Sequence, residues 1–193
     1  MSLATVLSDY VAQTAEEARD LQRMRELAVE PDPWRRSLAL HVTGSAVVVH
    51  PPTRRVLLRW HERMQRWLQV GGHADPGETD PFSIALREAA EETGLADLAP
   101  WPEHQPRVLH LAIVPVPAGG GEPAHEHADV RYALTTAQPD AVRPESASAP
   151  LVWLSVDDAL QRAGEDNLRV CLARIGALFV EQDPAQQVTG GAS

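Results

Sequence analysis

Residues 4–28 carry apolar positions at helical spacing. Val6, Val11, Ala18, Leu21 and Ala28 recur with Glu16, Glu17, Arg19 and Arg23 between them, and Pro31 and Pro33 follow. This pattern predicts one amphipathic helix. The pattern then changes to β-branched runs. His41 to His50 reads as a strand with a Gly-Ser interruption, Pro51-Pro52-Thr53 as a turn, and Arg55 to Trp60 as a second strand, so the pair is expected to form a hairpin. Trp67 to Val70 is a short third strand that Gly71-Gly72 is expected to end as a turn. Residues 81–93 return to helical spacing. Asp80 suits the N-cap, Pro81 the first helical position and Gly94 the C-cap, with Phe82, Ala85, Leu86 and Ala89 on the face that packs. Strands are expected at Arg107 to Val116, His127 to Thr135 and Leu151 to Leu154. Helices follow at Asp157 to Ala163 and Asn167 to Val180, the latter with Leu168, Cys171, Leu172, Ile175, Leu178 and Phe179 on one face.

A chain of 193 residues with 44% hydrophobic and 23% charged positions can bury the core of one soluble domain. The net charge of −10 argues against a coat for nucleic acid or an anionic membrane surface. It leaves room for a small anionic substrate, because a bound cation inverts the local field. All 17 basic residues are arginine, to which no functional content attaches. The single cysteine, Cys171, rules out a disulfide scaffold and a multi-thiolate zinc site. No apolar run approaches the ~20 residues of a membrane helix. The first residues have no basic leader and carry Asp9 early, so a cytoplasmic location is the expectation.

The chemistry concentrates between Gly71 and Leu95, GGHADPGETDPFSIALREAAEETGL. Glu88, Glu91 and Glu92 stand at i, i+3 and i+4, which places three carboxylates on one helix face. At about 100° per residue from Phe82, the apolar stripe lies near 0° and the glutamates at roughly 180–280°. Three carboxylates so close repel one another, more strongly in a cleft than in water. A divalent cation relieves this, and carboxylate oxygen is the donor that Mg²⁺ or Mn²⁺ prefers. The glycine pair lets backbone groups approach such an ion or a phosphate. Glu78 offers a further oxygen, and Arg87 can hold a carboxylate by a bidentate pair. Three glutamates alone usually mark a solvated face. Arg, Glu, Glu, Glu and Gly at five fixed positions recur by chance in only about one chain in ten thousand of this length.

This string resembles the signature of the Nudix hydrolases, G-x5-E-x7-R-E-U-x-E-E-x-G-U with U aliphatic. Gly72, Glu78, Arg87, Glu88, Ala89, Glu91, Glu92, Gly94 and Leu95 occupy its named positions. The resemblance spans roughly residues 38–165. It implies an α/β fold, an α/β/α sandwich with a mixed sheet, to which N-terminal and C-terminal helices are added. The organisation expected is a helical extension over 1–37, the Nudix domain with its C-terminal helix over 38–183, and a disordered tail over 184–193. One departure stands out: eight residues, Thr79 to Leu86, separate Glu78 from Arg87 where the pattern has seven. The extra residue belongs to the loop or the helix start. It unsettles the role of Glu78, part of which Asp75 is expected to take over.

The resemblance further implies Mg²⁺- or Mn²⁺-dependent hydrolysis of a phosphoanhydride in a nucleoside diphosphate linked to another group, by attack of water at phosphorus. Glu88, Glu91 and Glu92 fall on the metal-binding and base positions, Arg87 on the arginine that orients them, and Gly72 and Glu78 on further metal-binding positions. The partner expected is a small diphosphate, and the terminal helices are expected to cover the core or form a homodimer contact. Two other functions share the fold: an isopentenyl-diphosphate isomerase, which needs a reactive cysteine near the site, and a ligand-sensing protein without catalysis.

Outside the signature, His125, His127, Asp129 and Arg131 alternate with Ala128, Val130 and Tyr132, so the first set faces a cleft or solvent and the second the core. His73, His127, Asp129 and Arg131 are the candidate substrate contacts. In the family a late metal ligand often follows the signature helix, for which Glu126, His127 and Asp129 are the local candidates. His125-Glu126-His127 lacks a well-spaced third ligand and is a weak zinc motif by itself. Trp60 and Trp67 are read as core, Arg59, Arg63 and Arg66 as surface charge near the site, and Cys171 as inert packing.

Overall fold

A computed structural model describes residues 1–182. Helices α1 (Leu3–Asp9) and α2 (Ala15–Leu27) come first. Strands β1 (Leu40–His50), β2 (Arg55–His61), β3 (Arg66–Leu68) and β4 (Val70–His73) follow, and then α3 (Pro81–Thr93). The chain continues through β5 (Ala99–Pro100), β6 (Val108–Val116), β7 (His125–Thr135) and β8 (Leu151–Ser155) to α4 (Val156–Arg162) and α5 (Asp166–Glu181). The tail expected to be disordered lies outside the described residues.

Among the described residues the strands form one mixed sheet. β1 runs parallel to β7 from Leu40↔Glu126 to Val49↔Thr135, and pairs antiparallel with β4 and β2 along its other edge. β6 and β5 extend the sheet beyond β7, and β3 and β8 flank β2. The parallel pair at the centre is buried on both faces, which is why β1 ends in the apolar run Ala46 to Val49, while His41, Thr43 and Ser45 are buried polar residues on one face of its first half. Val42, Ala46 and Val48 pack with α1, α2 and α3, while Val47 and Val49 pack with α4 and α5. The architecture is the α/β/α sandwich that the family resemblance implies.

Helix α3 has the expected bounds and caps. Asp80 accepts from the Phe82 N–H, Pro81 occupies the first turn, and Gly94 closes the helix at φ +67°. Ile84, Ala85 and Ala89 are fully buried beneath it. Burying an isoleucine side chain contributes about 1.5–3 kcal/mol. The helix crosses β1 at Gly44, where a Cβ would lie 2.6 Å from the Pro81 carbonyl oxygen.

Two expectations need correction. The first helix is two helices, broken at residues 10–14. Thr14 accepts from the Glu17 N–H and restarts the chain as an N-cap, and the Glu17 carboxylate accepts from the Gln13 N–H at 2.6 Å. Val11, read as part of the apolar stripe, is 79% exposed in that break. The second correction concerns Gly71 and Gly72, which do not turn the chain: they lie inside β4, opposite Ser45 and Gly44.

The terminal helices pack on the chain's own sheet. Buried Glu17 accepts from Arg174 on α5 (2.9 Å from each terminal nitrogen) and from the Tyr10 hydroxyl, and Arg174 also donates to the Leu109 carbonyl at 2.7 Å. Burial raises the pKa of this carboxyl, but the Arg174, Tyr10 and Gln13 hydrogen bonds outweigh it and hold the group at about 2.

Candidate active site

Strand β4 separates two chemically different surfaces. Its even residues, Val70 and Gly72, face α3, and its odd residues, Gly71 and His73, share the opposite face with Ser45 and Thr43. Gly72 is where the acidic helix meets the sheet. A Cβ there would stand 2.6 Å from the Glu88 carboxyl carbon. Glycine therefore lets the Glu88 carboxylate rest on the strand backbone. The Gly71 N–H donates to Glu92 Oε2 at 3.0 Å, and Arg59 of β2 pairs with Glu92 Oε1 at 3.2 Å and with Glu145 at 3.3 Å.

Arg87 organises the other side. Its Nη1 donates to Glu88 and Glu91, each at 3.0 Å, its Nη2 to Glu78 at 2.9 Å and to the His73 carbonyl at 2.8 Å, and its Nε to both oxygens of Glu78. A planar guanidinium with five donors suits this fork, which an ammonium cannot reproduce. Glu78 also accepts from the Asp75 N–H at 2.8 Å. The extra residue before the helix is thus absorbed in the loop, and Glu78 reaches Arg87. Asp75, expected to substitute for it, lies 3.7 Å from Arg87 with a largely exposed side chain.

Burial dominates the electrostatics of this acidic face. It raises the Glu92 carboxyl to about 7, against the opposing pull of Arg59 and the Gly71 N–H. Burial also raises Glu88, with Arg87 opposing. Arg87 holds Glu78 below the usual carboxylate range. Glu91 is the exposed member, with 56% of its side-chain surface open. The donor set is all oxygen and carries more negative charge than Arg87 and Arg59 balance. Such a set fits a hard divalent cation. Glu88, Glu91 and Glu92 are placed to hold one, with the Gly72 backbone and Glu78 at the edge of the same surface.

Gly71 and Gly72 also line a cleft of about 230 Å³ on the other side of β4. Its deepest group is Arg131, fully buried, whose Nε donates to Asp129 at 2.7 Å. Both terminal nitrogens of Arg131 are buried without a hydrogen-bond partner. Asp129 is saturated: it accepts from Thr43, Ser45, Gln69 and Arg131. Of the candidates for a late metal ligand, Asp129 is committed to this network, and Glu126 pairs with Arg23 of α2 at 2.5 Å. His73 and His127 line the cleft, with His41 beside them. Burial is the main cause holding His73 down to about 3 and His127 to about 4. Arg63 lines the cleft mouth and pairs with Glu122, and Trp60 packs edge-on against Trp67.

Sequence reasoning missed His41, Thr43, Ser45 and Gln69, and it read Arg59 as surface charge where the side chain is largely buried against Glu92. The first three had a visible signal, because polar residues at alternate positions of a buried strand mark a functional face. Arg59 and Gln69 meet their partners only through the tertiary structure.

A family model described as the NUDIX domain matches residues 40–175. No curated protein matches the chain. Among solved structures, a Nudix-family hydrolase from Clostridium perfringens is 25% identical with a TM-score of 0.56, covering 72% of this chain and 97% of that one. The Ap4A hydrolase of C. elegans, in a binary complex, is 19% identical with a TM-score of 0.57, covering 72% of this chain and 98% of that one. The E. coli dihydroneopterin triphosphate pyrophosphohydrolase is 17% identical with a TM-score of 0.52, covering 72% and 95%. With the family model spanning most of the chain and the signature residues gathered on α3 and β4, this protein belongs to the Nudix hydrolase family and is a hydrolase of pyrophosphate bonds.

Proposed function

We propose that the chain hydrolyses a phosphoanhydride bond in a nucleoside diphosphate linked to another group, with Mg²⁺ or Mn²⁺ as cofactor. The observation that carries this reading is the packing of the acidic face of α3 onto Gly72, at the border of a cleft whose floor holds a buried arginine with two free donors. Glu88, Glu91 and Glu92 would hold the cation, assisted by the Gly72 backbone and Glu78. When bound, the cation neutralises charge on the bridging and leaving oxygens.

The chain's own residues do the rest. Arg87 fixes Glu88 and Glu91 in place and ties them to Glu78 and the His73 carbonyl. One carboxylate of the glutamate set takes a proton from the attacking water as its oxygen bonds to phosphorus, and the leaving phosphate departs with the bridging oxygen. Arg131, with its unpaired terminal nitrogens, is the natural donor to an anionic or carbonyl oxygen of the substrate. His73, His127 and the Asp129 network shape the wall beside it. The isomerase reading loses its cysteine, since Cys171 is fully buried in α5 and burial raises its thiol to about 12.

The test is a panel of nucleoside diphosphate derivatives incubated with Mg²⁺ or Mn²⁺ and read by phosphate release after phosphatase treatment. Metal-dependent cleavage of at least one member is expected. Tight binding of a member without turnover would overturn the reading in favour of a sensing role.

A further inference from the structure

The cleft wall holds a feature that phosphoanhydride hydrolysis does not require. His41, His73 and His127 come from β1, β4 and β7, and one ring nitrogen from each lies within 4.8 Å of the other two. The register produces this convergence. His41 and His127 are direct partners across the parallel pair, and His73 lies opposite Thr43, two residues along the same face as His41. His41 Nε2 and His73 Nε2 are 3.1 Å apart. His125 adds a fourth imidazole, its Nε2 3.2 Å from His127 Nε2.

We propose that His41, His73 and His127 form a nitrogen-donor site for a transition-metal cation of the zinc class, separate from the oxygen-donor surface of α3. Three arguments support it. Zinc–imidazole bonds of about 2.0–2.1 Å place tetrahedral ligand nitrogens about 3.3 Å apart, close to the separation of the His41 and His73 nitrogens. The tautomer is also set for ligation. His41 Nδ1 lies 3.0 Å from the Leu38 carbonyl oxygen, to which it must donate, and this leaves Nε2 unprotonated, its lone pair aimed into the cluster toward His73 Nε2. His125 Nδ1 bonds the Pro123 carbonyl at 2.8 Å in the same way. Finally, the converging set is all imidazole: Asp129 is saturated by its four donors, and Glu122 and Glu165, which also line the cleft, pair with Arg63 and Arg66. Imidazole selects zinc-class ions over magnesium. His73 and His127 line the cleft, so the ion would be reached from the side where substrate enters. The isolated His125-Glu126-His127 motif looked too poor to bind a metal, and the ligands it lacked come from strands distant in sequence.

The experiment titrates metal-stripped full-length protein with Co²⁺ in excess Mg²⁺, reading ligand-field absorption and displacement by Zn²⁺. One equivalent of low-coordinate Co²⁺ is expected, unaffected by Mg²⁺. His41→Asn and His127→Gln should weaken binding by about 100-fold or more, and Glu91→Gln should leave it unchanged. His73→Gln and His127→Gln, both at half-buried positions, serve as the ligand variants should the buried His41→Asn fail to fold. Absence of the absorption bands, bands unchanged in every folded histidine variant, or bands lost in Glu91→Gln would overturn the proposal. Because the readout is binding, its outcome is independent of whether a diphosphate is hydrolysed.

Discussion

The two surfaces separated by β4 solve opposite electrostatic problems. On the α3 side, carboxylates crowd together with two arginines to balance them, and burial leaves Glu92 near 7. On the cleft side, imidazoles crowd together above an aspartate already saturated by its donors, and burial holds His73 near 3 and His127 near 4. The first surface has excess negative charge that a hard cation would neutralise. The second has neutral lone pairs and a buried guanidinium with unused donors. One strand of four residues can serve both because side chains alternate across it, and because Gly72 contributes no side chain where α3 needs the space.

Perturbing each side should separate the two. The largest effect is expected on the acidic side. Glu91→Gln and Glu92→Gln should each lower turnover of a cleaved diphosphate by about 10²–10⁴-fold, with the thermal midpoint preserved or raised. Steady-state rates and melting curves on the same samples check this. Next comes the cleft floor. Arg131→Ala leaves Asp129 buried with three neutral donors and no cation, and should destabilise the protein by about 3 kcal/mol, measured by urea unfolding. Gly72→Ala should follow, because the new methyl group displaces Glu88 from the strand. A shift of about 1 Å in a catalytic group costs about 10²-fold, visible in kcat, while the binding of Co²⁺ on the opposite face should not change.

A graded effect comes last. The Glu92 carboxyl is raised in the folded state, so the folded chain binds its proton more tightly than the unfolded chain does. Its contribution to stability is present below the unfolded value of about 4.3 and is lost as pH rises through about 7. His73 and His127, held low by burial, tilt stability the other way over the same range, so the readout is a difference: without divalent metal, the melting temperature of the wild type relative to Glu92→Gln should fall between about pH 4.3 and 7.

The legible parts of the molecule are those in which function and local geometry coincide. Asp80, Pro81, Gly94 and the three glutamates lie within one helix, so spacing alone projects them correctly. The hairpin of β1 and β2 was readable for the same reason. The break between α1 and α2 was harder, because Thr14 and Glu17 form a cap inside an otherwise helical pattern. Gly71 and Gly72 were mistaken for a turn, since their reason for being glycine lies in the helix that packs on them. The cleft was the least legible, because His41, His73 and His127 are brought together by strand register, which periodicity in one segment does not contain.

The central claim is that the acidic face of α3 grips a divalent ion beside the cleft. Mn²⁺ titration followed by electron paramagnetic resonance tests it most directly. Wild-type protein and the histidine variants should bind Mn²⁺ in competition with Mg²⁺, and the combined Glu88→Gln, Glu91→Gln, Glu92→Gln variant should not. Equal binding by that variant, or no binding by the wild type, would contradict the account.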